Sequence, residues 1–268
     1  MNEILVILFL FSQPKWVAYK ETLFPGEPII PILCYKNSDL IPQKILRIPP
    51  YFFEESFYTI FENKEYKIFR VARVGYLLID TIVLNPSESI YLMSFPIFYG
   101  DFRLRDGSKI LPFRYGKLTI YIPPHWLFPN QKLDSFSVFF KEPPKERKEF
   151  HEYIKNLYQN KNLFYQRFEK LKYFVKKYKD TLLLPYVLWN LYINHSDKKY
   201  IDEMRRRFPN HILTEDSEFR LCKDYFLWGK ELEGYKLYKK LKEKYPFNYG
   251  VKDIEARFSD KIKKFERK

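Results

Sequence analysis

The stretch "KEPPKERKEF" (141–150) divides this chain into two halves that obey different periods, and no single regular fold accommodates both. Pro143-Pro144 can neither continue a strand ladder nor sit inside a helix, because proline lacks the backbone N–H and fixes φ. Before the prolines the pattern repeats every two residues. "GKLTIYI" (116–122) alternates Leu118, Ile120 and Ile122 with Thr119 and Tyr121, as a half-buried strand does. "YLLIDTIVL" (76–84) and "SESIYLMSF" (87–95) carry the same β-branched and aromatic richness, with the Asn-Pro and Ser residues of "LNPSES" turning the chain between them. "FPGEP" (24–28), "KNSD" (36–39), "ENKE" (62–65) and "RDGS" (105–108) mark further turns, and turns at this spacing predict a β-sandwich. After the prolines the period becomes helical. Tyr153, Leu157 and Tyr158 share one side of a first helix, and Phe168, Leu171, Phe174 and Val175 one side of a second. A length of 268 residues suits two domains of ordinary size. The expectation is an α+β, two-domain protein: all-β over 19–140, a linker at 141–148, and all-α over 149–268, with the halves separable at the linker.

The helical half repeats one kind of join. "FVKKYKD" (174–180), "RRRFPN" (205–210) and "EKYPFN" (243–248) each end a basic helical run on an aromatic residue. Those aromatics, Tyr178, Phe208 and Tyr245, lie 30 and 37 residues apart, a period that predicts stacked helical hairpins. The segments after the first two joins align as well, since Val187-Leu188-Trp189-Asn190-Leu191 and Ser217-Glu218-Phe219-Arg220-Leu221 are offset by the same 30.

At these positions the chain over about 145–268 resembles the tetratricopeptide repeat family. The fullest unit runs from Ser217 to Pro246, with Leu221, Cys222 in a small-residue slot, Tyr225, Gly234 in a second small slot, Tyr238, and Pro246 as the helix stop. Leu241 stands where the family carries alanine. In that family the first helix of each pair lines a concave surface. The resemblance therefore implies a partner-binding patch of Trp189, Ile193, Phe219 and Lys223, flanking Leu191 and Leu221, with Phe226 one turn further. The alternative for the same residues is to seal the stack against the β half. Residues 15–123 in turn resemble bacterial immunoglobulin-like domains, through Pro25-Gly26-Glu27-Pro28-Ile29, Asn37-Ser38, Leu84-Asn85-Pro86-Ser87-Glu88-Ser89 and Tyr115-Gly116-Lys117-Leu118. Such domains are mostly adhesive or structural, so that likeness implies no chemistry.

Charge is unevenly placed: 15 Lys+Arg against 13 Asp+Glu up to residue 140, and 32 against 20 beyond it, so +12 of the net +14 sits in the helical half. Acidic residues are interspersed throughout, as on the solvated faces of Lys-rich helices. Tyr and Phe number 23 and 26 while Ala18, Ala72 and Ala256 are the only alanines, so large rings fill sites where small residues are usual. Cys34 and Cys222 lie in different halves without a Cys or His at ligand spacing, and read as buried hydrophobes. The apolar run Ile4 to Phe11 is too short to span a bilayer but has the length of a signal-peptide core, with cleavage after Ala18 as one outcome and a first β-strand as the other.

No catalytic pattern emerges. The eight glycines form no phosphate-binding loop, no H-E-x-x-H or C-x-x-C occurs, and His125, His151, His195 and His211 are scattered, His195 in a packing or surface position. Glu54-Glu55 are adjacent and point to different faces of either element, which is wrong for an acid/base pair. The sequence thus predicts a non-enzyme without cofactor or metal: an interaction or scaffold protein of the bacterial cell envelope, periplasmic or secreted, binding a protein segment in its repeat groove. If the N-terminal run is a strand, the cytoplasm is the alternative location. A binder of an anionic polymer, nucleic acid or acidic polysaccharide, using "FVKKYK" and "GYKLYKKLKEKY", is the alternative function, and membrane contact is expected only through an uncleaved N-terminal segment.

Overall fold

Strands β3 (Pro31–Lys36) and β8 (Ser89–Met93) are apolar on both faces, and a strand of that kind needs cover on two sides. The computed structural model, which describes residues 14–46, 57–68, 81–104, 106–123, 134–159, 167–178 and 183–267, supplies both covers. β3 lies between β1 (Lys15–Ala18) and β8 in a three-stranded antiparallel sheet. Leu33, Ile90 and Leu92 point one way, into a core shared with a six-stranded sheet. Ile32, Cys34, Tyr91 and Met93 point the other way, into a core shared with the helices.

The six-stranded sheet runs in the order β2 (Thr22–Leu23), β11 (Asp134–Phe140), β10 (Gly116–Ile122), β5 (Tyr58–Phe61), β6 (Lys64–Ile68), β9 (Phe102–Leu104). β10 behaves as its alternation predicts: Leu118, Ile120 and Ile122 are buried, and it pairs along its whole length with β11, whose Phe136, Val138 and Phe140 are buried in turn. Between β5 and β6 the predicted "ENKE" turn places Glu62 and Asn63 at φ of 48° and 60°, the pair of left-handed residues that suits a tight hairpin. β4 (Gln43–Leu46) and β7 (Thr81–Leu84) form a separate antiparallel pair. The Ile4–Phe11 run, Glu54-Glu55 and His125 lie outside the described residues.

Only 141–144 is irregular at the expected linker. Lys145–Arg147 already form a 3-10 turn that continues into α1 (Lys148–Gln159), followed by α2 (Arg167–Lys177), α3 (Leu184–His195), α4 (Lys198–Arg207), α5 (Ile212–Leu227), α6 (Glu231–Lys244) and α7 (Tyr249–Glu266). Neighbouring helices pair in sequence, α3 with α4, α5 with α6, and α6 with α7. The repeated joins share one geometry. Phe208 and Tyr245 end their helices at φ, ψ of −133°, 52° and −132°, 57°; three residues later the side chains of His211 and Asn248 cap the next helix by accepting from the N–H groups of Leu213 and Gly250.

The chain is thus an α+β protein whose two halves share a core. Ile30, Ile32, Cys34, Tyr91, Met93 and Phe98 from the β half pack in one cluster with Ile154, Leu171, Phe174 and most of α3. Polar contacts cross the same boundary: His151 Nδ1 lies 2.9 Å from the Pro25 carbonyl oxygen, and Lys252 pairs with Glu88 at 2.6 Å. A sheet face buried by a distant helix gives the same apolar pattern in sequence as one buried by another sheet, so this shared cover is seen only in the fold.

Candidate functional site

The partner patch expected from the repeat resemblance does not form an open surface. Trp189 is buried, its ring set edge-on to Phe95 of the β half at 5.8 Å and its Nε1 donating to Asp216 Oδ2 at 2.8 Å. Asp216 also accepts from Arg220 Nε at 2.9 Å, and the Arg220 guanidinium lies 5.0 Å from the centre of the Phe95 ring. Phe219 and Phe226 are buried among α5, α6 and α7, with Phe226 stacked on Phe258 at 4.8 Å. Lys223 is half-buried and pairs with Asp253 of α7 at 3.3 Å, and Ile193 packs against the shared core. The physical reason is the cover over β8: α3, α5 and α7 turn toward the β half, so residues that would line a repeat groove meet this chain's own sheet or the next helix. Trp189 meets the β half through Phe95, whereas Phe219, Phe226 and Lys223 meet α6 and α7.

The residues brought together at that seam are different ones. Tyr91, at the middle of β8, donates its hydroxyl to Glu215 Oε1 on α5, and Asn248 Nδ2 donates to the same oxygen. The backbone closes the contact, with Tyr91 N–H donating to the Phe247 carbonyl at 2.8 Å. Asn248 is also the cap of α7, so one side chain fixes a helix start and a buried carboxyl together. Burial pushes the Glu215 carboxyl up to about 7, against the opposing pull of its two donors; Asp216 raises it further and Lys244 lowers it. Burial likewise raises the Tyr91 hydroxyl, with the Glu215 charge adding to it.

A second polar group lies along the same seam. Glu27 accepts from the Phe24 N–H at 2.7 Å and pairs with Lys20 at 3.3 Å. The neighbouring Tyr186 and His211 rings meet edge-on at 5.3 Å, and Tyr186 Oη and His211 Nε2 are both buried without a hydrogen-bond partner among the described residues. Burial, with Lys20 nearby, pushes His211 down to about 3, and burial with the Glu27 charge pushes the Tyr186 hydroxyl well up. Both side chains are therefore neutral at ordinary pH, which suits packing more than proton transfer. Burial also lifts the Cys34 and Cys222 thiols to about 12, leaving no reactive thiolate. Among the described residues no group of three or more His, Cys, Asp or Glu is placed to hold a metal ion.

Sequence reasoning missed Glu215 although its signal was present. Ile212, Glu215, Phe219, Cys222 and Phe226 fall on one helical stripe, so a carboxyl stands in a run of otherwise apolar inward positions. Tyr91 and Asn248 had no such signal, because only the fold brings β8 to the start of α7.

No protein-family model matches the chain, and no curated protein sequence matches it. Among solved structures, β-glucosidase from Listeria innocua overlaps it loosely: the glucose complex at 13% identity and TM-score 0.25, covering 48% of this chain and 16% of that one. A variant of that enzyme with laminaribiose gives 14%, 0.26, 49% and 16%, and the enzyme alone 13%, 0.25, 50% and 16%. A likeness this loose carries no argument about fold or activity.

Proposed function

We propose that this protein is a non-catalytic interaction or scaffold protein of the bacterial cell envelope, built from an immunoglobulin-like β half and tetratricopeptide-like helical hairpins. The repeat assignment is supported by the meeting of the two small-residue slots, where Cys222 Sγ contacts the Gly234 carbonyl oxygen at 3.3 Å and the Phe226 ring fills the crossing beside it. The observation that carries the function is the orientation of the hairpins. α3, α5 and α7 are spent on this chain's own sheet, while α4 and α6 pack on their neighbouring helices and leave charged outer faces in solvent. A rigid body that fills its own groove presents its outer helices to a partner, so we place the protein contact there and not at Trp189, Ile193, Phe219, Lys223 or Phe226.

A photo-crosslinking residue placed in the full chain at exposed positions of α4 and α6 should capture one reproducible partner in cells, and the same residue at Ile193 should not. Capture from Ile193 alone would return the contact to the groove. The anionic-polymer alternative rests on the exposed Lys236, Lys239 and Lys240 of α6. Retention of the full chain by immobilised polyphosphate and by single-stranded DNA alike, with no crosslinked protein, would favour it.

A further inference from the structure

The turn joining α5 to α6 carries Leu227, Trp228 and Leu232 at 67%, 56% and 48% exposure. Three large apolar residues within six positions are an expensive thing to leave in water. The turn is rigid. Trp228 N–H donates to the Asp224 carbonyl and Lys230 N–H to the Tyr225 carbonyl, both at 2.8 Å, while Gly229 takes the left-handed φ of 76° that closes a helix this way. Below it, Phe226 is stacked on Phe258, so the tip stands on a packed base.

The surroundings of the tip are basic. Lys230 lies in the turn itself, and Lys236, Lys239 and Lys240 follow along the exposed side of α6, none of them in an ion pair among the described residues. Of the two acidic residues in the first turn of α6, Glu231 is already paired with Lys261 at 3.4 Å and Lys264 at 3.0 Å, and the exposed Glu233 is outnumbered by the four lysines. Apolar side chains at a tip ask for hydrocarbon, and unpaired lysines beside them ask for anions. An anionic lipid surface offers the two together, at the depth where tryptophan is at home. Nucleic acid has no use for Leu227 and Leu232, and the tyrosines of α6 are not free to stack on bases: Tyr238 is buried and Tyr235 stacks on Phe265 at 5.1 Å. A second copy of this chain would bring like-charged lysines together.

We infer that the α5–α6 turn docks on an anionic phospholipid surface, Leu227, Trp228 and Leu232 entering the interface and the lysines of α6 lying over the headgroups. This goes beyond the scaffold reading, which stands or falls on a protein partner. It needs no spanning helix, and among the described residues none is long and apolar enough to cross a membrane.

The test uses the full chain with vesicles of phosphatidylcholine alone and of phosphatidylcholine mixed with phosphatidylglycerol. Sedimentation with the mixed vesicles is expected, weakening as salt rises, together with quenching of tryptophan fluorescence by lipids brominated along their chains. Leu227→Ser with Trp228→Ser should weaken binding by more than about tenfold for each apolar group removed. Lys236→Gln, Lys239→Gln and Lys240→Gln should each cost about fivefold on mixed vesicles and leave phosphatidylcholine binding unchanged. An unshifted thermal midpoint identifies these variants as folded, and the quenching measurement on the unmodified chain requires no variant. The inference is overturned by absence of vesicle binding, by equal binding to both vesicles, by binding undiminished in the Leu227/Trp228 variant, or by self-association through Trp228 or polyanion binding in its place.

Discussion

At the residue scale, Glu215 and His211 of the seam act on stability in opposite directions. The Glu215 carboxyl is raised from its ordinary 4.5 to about 7, so its folded state prefers the proton. The stability it contributes is complete below pH 4.5 and is lost as pH rises through 7, a difference on the order of 3 kcal/mol. The His211 imidazole is lowered from 6.5 to about 3, so its contribution is complete above pH 6.5 and is lost as pH falls toward 3. Glu215→Gln keeps an acceptor for Tyr91 and Asn248 and should remove the alkaline loss; His211→Asn keeps a capping side chain and should remove the acid loss. Urea unfolding at pH 5 and pH 8 reads both, and an unaltered pH profile in either variant would show that the group is solvated in the folded state. Gly234 supplies a third residue-scale outcome. A Cβ built there lies 3.1 Å from the Phe226 ring, so Gly234→Leu should overpack the crossing and cost roughly 1 to 3 kcal/mol despite leucine's better helix propensity.

At the scale of elements, β1 connects the N-terminal segment to the rest. Trp16 is buried and meets Phe57 edge-on at 5.0 Å, and Asp134 takes both the Lys15 ammonium at 2.6 Å and the Trp16 N–H at 2.9 Å. Cleavage after Ala18 would discard all of this. A chain beginning at Tyr19 should lose at least the roughly 3 to 5 kcal/mol that truncating a buried tryptophan costs, with a depressed melting midpoint. If the protein is processed, mass spectrometry of the mature form should find its first residue at or before Lys15. The joins were legible at this scale: aromatic, proline, spacer and cap follow in order at Phe208 to His211 and at Tyr245 to Asn248, and chain-local chemistry decides them. The seam was not legible, because Trp189 has the same surface-or-core ambiguity in sequence whether Phe95 or a partner covers it.

At the scale of the molecule, the three-stranded sheet is the middle layer, with strands on one face and helices on the other. Removing either outer layer exposes an apolar face. The full chain should therefore unfold in one cooperative transition by circular dichroism and tryptophan fluorescence alike, and a fragment of residues 149–268 should be aggregation-prone or partly melted when expressed alone. Two separated transitions, with a well-folded helical fragment, would mean that the shared core contributes little and that the linker at 141–148 divides independent domains.

The sequence by itself determined what depends on neighbours along the chain. The period of "GKLTIYI" made β10, Pro143-Pro144 ended the strands, and Phe208 and Tyr245 ended helices in the same way. These are local effects of propensity, capping and alternation, acting over a few residues. Tertiary structure alone decided which face each apolar stripe would meet. Tyr91, Glu215 and Asn248 are separated by 124 and 33 residues and become partners only because α5 and α7 lie across β8. Hydrophobic burial has no direction of its own, so an apolar stripe specifies that it will be covered but not by what, and the cover came from within the same chain.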